Sequence, residues 1–442
     1  MPWVSILRLG WVREYNVGVM ALLSKQKFSK EVIAGIVGYL TTVYIIAVNS
    51  QILSEAGIDR EQAMIATILA SFVGSVLVGL FAKVPIIIIP GMGVNVLFTY
   101  SIVQQYELSY SEGLGIVVVS SIIFLITAMT PLGGIFKNAV PDSLKHGITI
   151  GLGLFLVLIG LESSGIIVSG EHSILALGNF SSPIVMTSLV TLIIAIVLFV
   201  KNVPANFLLT MIIGTLLSYL SGTLEPTKDS SINIEKLSDL FVLPTFNHIW
   251  EIVFWISVLP LSIVLIFESI GLIYGQLNML NRPNAFKRTY KFTAISALFS
   301  GFFGTSPTVP AAESASVIAS KGKTGVASIV TGILFLSTFL FIPYISMIPG
   351  HAISPILIIV GLLMMQNIKY IRIDDLTEAF PTFLIMFMIP FTYSIADGMA
   401  FGFIAYPIIK IVTKQKEQIS PILYVISLLF LIEFIIKYFS FL

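Results

Sequence analysis

"GFFGTSPTVPAAESASVIASKGKTG" (301–325) is the stretch on which the fold turns. It holds two prolines, Pro307 and Pro310, a run of Ser and Thr, and one carboxylate, Glu313. It is too polar for an ordinary membrane helix and too apolar for an ordinary loop. "TSPTVP" reads as extended backbone, because a proline pushes the residue before it out of the helical region. "AAESASVIA" reads as a short helix of small residues with Glu313 in its first turn. Extended backbone inside a bilayer is tolerated only where protein or a polar cavity surrounds it. The stretch therefore predicts a half-helix that starts near the middle of a membrane.

The rest of the chain supports a membrane setting. Of its 442 residues, 56% are hydrophobic and only 11% charged, with a mean hydropathy of +0.99; soluble domains carry roughly 25% charged residues. Apolar runs of about 20 residues recur from end to end, each long enough to cross a hydrocarbon core of ~30 Å. The runs are continuous, not alternating, which excludes a β-barrel. The fold class is an all-α polytopic membrane protein. No cysteine is present, so disulfides and thiolate metal sites are excluded, and the four histidines show no metal-ligand spacing. A net charge of +1 implies no nucleic-acid partner. Neither a Walker A sequence nor HExxH occurs, which argues against ATP hydrolysis and against an enzyme, and no cofactor is implied. Residues 1–19 lack the apolar stretch of a signal peptide, and Met20 reads as an equally good start.

Fourteen segments are predicted: 32–53, 62–82, 85–104, 113–130, 147–167, 182–201, 204–222, 251–275, 289–304, 305–320, 324–344, 351–366, 378–395 and 397–413. A further apolar stretch, 419–440, carries Glu433 and Lys437 and has no assigned place. With the N-terminus inside, nearly all of the 24 Lys and Arg gather on the inner side; Arg60, Lys228 and Lys236 fall outside, and Lys437 is unplaced. This is the expected cytoplasmic bias. A polar loop, 223–250, divides the segments into seven and seven. Each half has a Pro-broken third member: "VPIIIIPGMGVNVLFTYSIV" (84–103) in the first and "TSPTVPAAESASVIAS" (305–320) in the second. Seven is odd, so the halves enter the membrane from opposite sides. That predicts a 7+7 inverted repeat, with short extended stretches before half-helices in segments 3 and 10, and a ligand site where their N-termini meet.

Carboxylates inside spans are costly and are functional candidates by default. Glu268 lies in mid-span in "LPLSIVLIFESIGLIYG" (259–275), and Glu313 lies at the start of the tenth half-helix. Neither has a Lys or Arg within helical reach. A neutral carboxylic acid can donate and accept a hydrogen bond, and it can carry a proton. The plainer reading, a bond to neighbouring backbone, weighs more for Glu313, since carboxylates suit helix N-termini. Asn95 reads equally as a ligand contact or as a brace for the facing half-helix. Phe98 and Phe267 adjoin site residues and could stack on a flat ring. Tyr44 and Asn49 could line the cavity but read first as packing, Glu162 reads as a solvated mouth position, and Asp397 as turn chemistry. His146, His172, His248 and His351 read as incidental.

These residues carry a resemblance. "PGMGVNVLFTYSIV" (90–103), "GITIGLGLFLVLIGLESSGIIV" (147–168), "GTSPTVPAAESASVIASKGKTG" (304–325) and "DDLTEAFPTFLIMFMIPFTYSIADGMAFGFI" (374–404) resemble the nucleobase–cation symporters, in the azaguanine-like branch that carries adenine, guanine and hypoxanthine. The resemblance implies import of a purine nucleobase with a proton, Na+ being the other candidate ion. It implies a core domain (32–130 and 251–344) that moves like an elevator against a gate domain (147–222 and 351–413), with a homodimer contact on the gate side. Residues 1–31 would be a cytoplasmic tail and 223–250 an extracellular loop, in a cell-membrane protein. Substrate contacts would come from Glu268, Glu313, Asn95, Gly93, Ala312, Phe267 and Phe98, with Glu268 also coupling the proton. Three motifs depart from the branch: "FES" (267–269) for "FDT", "GVNVLFTY" (93–100) for "GLNAFFAY", and "TVPAAES" (308–314) for "TTYIES". An anion transporter of the same fold, of the sulfate-permease type, is the alternative.

Overall fold

The computed structural model describes residues 25–170, 173–224 and 242–439. Residues 1–24, His172 and most of the polar loop, with Lys228 and Lys236, lie outside the described residues. Among the described residues, nine helices are long and apolar enough to cross a bilayer, by length and composition. Two shorter apolar helices, Asn206–Leu220 and Leu376–Thr392, stand where the seventh and thirteenth segments are expected. The ninth is the helix Phe286–Phe303, whose Lys287, Arg288 and Lys291 excess sits at its start. The third and tenth are the broken ones.

In the third, β1 (Ile88–Pro90) leads into α1 (Met92–Val96), which continues as a wider π-helical turn over Leu97–Gln104. In the tenth, β2 (Thr308–Pro310) leads into α2 (Ser314–Ala319). The strands pair antiparallel, Ile88 with Pro310, Ile89 with Val309 and Pro90 with Thr308. Gly91 N–H to the Pro307 carbonyl (3.2 Å) and Ala311 N–H to the Ile87 carbonyl (2.8 Å) extend the ladder at both ends. Each proline closes its strand, where a missing N–H costs the ladder least. Antiparallel pairing sets the two half-helices running in opposite directions, as an inverted repeat requires.

Side chains satisfy the backbone that the ladder leaves over. Ser75 Oγ accepts the Ile88 N–H and donates to the Ile88 carbonyl, both at 3.1 Å. Ser328 Oγ reaches the carbonyls of Val84 (3.0 Å) and Ile86 (2.9 Å). Gln276 Nε2 donates to the Ala311 carbonyl at 2.6 Å. These bonds let extended backbone persist at membrane depth. Close approach helps: a Cβ at Gly74 would lie 2.3 Å from Ser296 Oγ and 2.8 Å from Ile88 Cγ2, so the second span reaches the strand only through glycine.

The helices form two packing groups. In one, Asp142–Ser163 lies against Gly350–Met365 and Leu376–Thr392, and the last of these against Ile395–Val412. In the other, Gly325–Ser337 lies against Lys25–Thr42 and Arg60–Leu77, and Tyr110–Met129 against Phe286–Phe303 and Ile252–Met279. Asp142–Ser163 and Gly350–Met365 meet through Gly153 and Gly361, each of whose added Cβ would lie within 2.6 Å of the other's carbonyl oxygen. Small residues at such a seam let helix backbones touch.

Two parts of the sequence reading change. The stretch 419–440 is a helix, Pro421–Phe439, packed along Ile395–Val412. Ser420 Oγ holds one end to the Ala139 carbonyl (2.6 Å), Ser427 Oγ bonds the Phe403 carbonyl (2.6 Å), and Lys437 pairs with Asp397 (2.7 Å) at the other end. Asp397 is more than a turn residue: it is 2% exposed and also accepts from Gln105 Nε2 at 2.9 Å. Burial of the aspartate demands a cation, and Lys437 supplies it.

Candidate functional site

A cavity of about 730 Å³ opens between the two half-helix tips and the helices Asp142–Ser163 and Ile252–Met279. That volume lies in the range of small-molecule sites. Pro90, Gly91 and Met92 line it from the first half, and Ala311, Ala312 and Glu313 from the second. Phe267 and Glu268 line it from the long helix Ile252–Met279. Gly271, one turn beyond Glu268, also borders it, and a Cβ there would meet nothing within 4 Å. Glycine at that position leaves the space open to a ligand.

The two carboxyl groups differ in their partners. Glu313 caps α2 by position without bonding its backbone as a cap. Its Oε1 accepts a hydrogen bond from the Tyr44 hydroxyl at 2.5 Å. Tyr44 sits at the break in the first span, between the helices Lys25–Thr42 and Ile45–Ser54. The break has a local cause: the Thr41 and Thr42 hydroxyls both bond back to the Gly38 carbonyl, at 3.0 and 2.7 Å, a pattern that competes with the helical ladder. Glu268 has no such helper; its buried Oε2 takes no hydrogen bond among the described residues. A buried carboxyl oxygen without a partner is costly, and a ligand N–H or a proton would relieve that cost.

Of the residues the sequence singles out, the structure brings Glu268, Phe267, Ala312 and Glu313 to the cavity wall. It does not bring Asn95, Gly93 or Phe98 there. Asn95 is fully buried, and its Oδ1 accepts from the Ser306 hydroxyl in the facing segment. That bond is the brace, while its Nδ2 takes no hydrogen bond among the described residues. Gly93 faces the neighbouring helix, where a Cβ would lie 2.9 Å from Leu152 Cδ1. Phe98 is fully buried edge-to-face against Tyr110, with ring centroids 5.3 Å apart.

Sequence reasoning preferred packing over the cavity wall for Tyr44, which lines the cavity, and missed the polar mouth formed by Lys145, His146, Asn278 and Asn367. Lys145 Nζ lies 5.4 Å from the centre of the Phe267 ring and 2.9 Å from Asp142 Oδ1. His146 stacks on Tyr370 with ring centroids 5.2 Å apart. A signal existed for Tyr44, since a phenol in mid-span needs a hydrogen-bond partner. None existed for the mouth, whose residues come from three helices far apart in sequence. Of the other described histidines, His351 Nε2 lies 2.7 Å from Ser218 Oγ, and His248 lies between Glu112 (2.7 Å) and Glu251 (2.6 Å). Among the described residues no cluster of His and carboxylates is arranged to hold a metal ion.

Comparison with known proteins places this geometry. Residues 29–401 match the model of a permease family, that of the xanthine and uracil permeases. The chain is 41% identical to the nucleobase transporter PlAzg2 of Paenibacillus larvae subsp. larvae, over 85% of this chain and 76% of that protein. It is 34% identical to the guanine/hypoxanthine permease PbuO of Bacillus subtilis, over 92% and 97%. It is 32% identical to the adenine permease AdeP of Escherichia coli, over 92% of each. Among solved structures, the transmembrane domain of the cyanobacterial bicarbonate transporter BicA superposes with a TM-score of 0.63 at 14% identity, over 86% of this chain and 98% of that one. SLC26A9 does so with a TM-score of 0.63 at 13% identity, over 91% and 70%. The likeness to these two is one of fold, the 7+7 inverted repeat of membrane transporters. With a match that takes in most of its length, the chain belongs to the permease family.

Proposed function

We propose that the protein imports a purine nucleobase of the hypoxanthine, guanine and adenine class together with a proton. One observation carries this reading: a cavity at the meeting of two half-helices is lined by an aromatic ring, Phe267, and by two carboxyl groups, Glu268 and Glu313. A purine is flat, apolar on its faces, and studded with N–H donors and acceptors along its edge. Phe267 suits the face. Carboxyl groups and the backbone of Gly91–Met92 and Ala311–Glu313 suit the edge. The names of the relatives, a nucleobase transporter and permeases for guanine, hypoxanthine and adenine, support the same class.

Glu268 is the coupling residue in this account. Its unpartnered oxygen can take a proton and present the acid to the base, then release both on the other side. The two packing groups support a core formed by spans 1–4 and 8–11 that shifts against a gate formed by spans 5–7 and 12–14. The cavity mouth lies beside Lys145 and His146. On the orientation given by the Lys and Arg bias, with the N-terminus in the cytoplasm of a cell-membrane protein, that mouth faces inward. The anion reading fares worse, because two carboxyl groups lining the cavity, Glu268 and Glu313, would repel an anion when ionised.

The test is uptake of radiolabelled bases in a strain lacking its own purine permeases, with and without a protonophore. Uptake of a purine that the protonophore stops supports the reading. Glu268→Gln keeps the shape of the side chain and cannot take a proton, so it should abolish coupled uptake. Full uptake by that variant would overturn the coupling role. Competition by sulfate and not by hypoxanthine would favour the anion reading.

A further inference from the structure

We propose that Tyr44 is a positioning residue for the ligand site: it fixes Glu313 as a hydrogen-bond acceptor and ties that carboxyl to the facing wall of helices. The inference rests on the nucleobase reading above and names how the site tells one ligand edge from another.

Three observations carry it. Tyr44 and Glu313 both line the cavity, and the phenol donates to Glu313 Oε1 at 2.5 Å. Tyr44 is 1% exposed, so its ring is packed among neighbouring side chains. Its ring meets Phe207 edge-on with centroids 4.7 Å apart, and Phe207 belongs to the helix Asn206–Leu220, which packs against Gly350–Met365 of the other group. Phe207 in turn stacks on Phe199 at 6.2 Å. The phenol is therefore held from behind by an aromatic pair and points its O–H at one carboxyl oxygen.

The consequence is chemical. An oxygen that receives a phenol O–H is an acceptor, and the bond favours a carboxyl that accepts over one that donates. Glu313 then reads an N–H on the ligand. Glu268, whose buried Oε2 has no partner among the described residues, keeps the freedom to carry a proton. Two like groups in one cavity thereby take different tasks because one is held and the other is not. Without the phenol, Glu313 is free to turn or to take a proton itself, and the site loses its preference for a ligand donor at that point.

Tyr44→Phe removes the O–H and keeps the ring against Phe207. The measurement is the KM and Vmax for the base that wins the uptake panel, with its N-methylated analogues as competitors. The expected result is a KM raised about tenfold, the effect of one lost positioning bond of roughly 1.4 kcal/mol. Vmax should stay within about twofold, and discrimination against the N-methylated analogues should fall. A purely structural role would lower Vmax through the amount of folded protein and leave KM and analogue selectivity unchanged; that result overturns the proposal. Equilibrium binding of the same base to purified Tyr44→Phe gives the answer independently of expression: a weaker dissociation constant supports the proposal, an unchanged one overturns it. A wild-type protein that neither carries nor binds a base overturns the nucleobase reading and this inference with it. A wild type that carries one alongside an unaltered variant overturns this inference alone.

Discussion

At the tip of α1 the polar side chain is Asn95, buried and bonded to Ser306 of the opposite segment; at the tip of α2 it is Glu313, and it faces the cavity. The two segments are mates in the repeat and share a construction. Each has a proline-closed strand, each strand is half of one ladder, and each half-helix braces the other segment's extended backbone. Asn95 does so through the Ser306 hydroxyl, and Ser314 does so by accepting the Ile87 N–H at 3.0 Å. The difference lies only in what remains after bracing. The first segment offers Pro90, Gly91 and Met92 to the cavity, and the second offers a carboxyl. A symmetric scaffold thus carries an asymmetric binding surface, and the asymmetry comes from single side chains.

Three substitutions test this division. The largest effect is expected from Glu313→Ala, which removes a hydrogen-bonding carboxyl group from the site. Base binding should weaken by roughly 2–3 kcal/mol, about 30- to 150-fold, against a stability loss of about 1 kcal/mol from the unpaired Tyr44 hydroxyl. Isothermal titration and a thermal melt of the purified protein measure both. Asn95→Leu should do the reverse. It strands the buried Ser306 hydroxyl, so stability should fall by about 2 kcal/mol while the affinity of the folded fraction stays within about threefold. A large loss of affinity without loss of stability would return Asn95 to the ligand site. The smallest effect is expected from Ser314→Ala, which unpairs one backbone N–H, Ile87. A stability loss of about 1 kcal/mol, seen as a modest drop in melting temperature with unchanged uptake, is the expected outcome.

The scaffold was more legible in the sequence than the surface. Prolines paired closely at 85 and 90 and at 307 and 310 announce extended backbone, which the single prolines inside helices at 260, 355 and 407 do not, and the odd number of segments per half dictates the inversion. Glu268 and Glu313 stand out because a carboxylate inside a span needs a reason. The register of the β1–β2 ladder was not legible, because "PIIIIP" has no polar alternation to choose a face. Nor was the role of Asn95. An amide at a half-helix tip suits a ligand and a brace equally well, and the partner that decides, Ser306, arrives from the other half of the chain. The last helix was hidden for a similar reason. Glu433 and Lys437 make 419–440 look unfit for burial until Asp397 is placed beside Lys437. In each case the missing information is a long-range pairing that local pattern does not encode.

The central claim is that the cavity between the two half-helix tips holds the nucleobase. The most direct test is a structure of the protein determined with the base that wins the uptake panel. The account predicts a flat ligand against Phe267, with its edge within hydrogen-bond distance of Glu268 and Glu313 and no contact with Asn95. A base bound elsewhere, or bound in this cavity out of reach of both carboxyl groups, would contradict it.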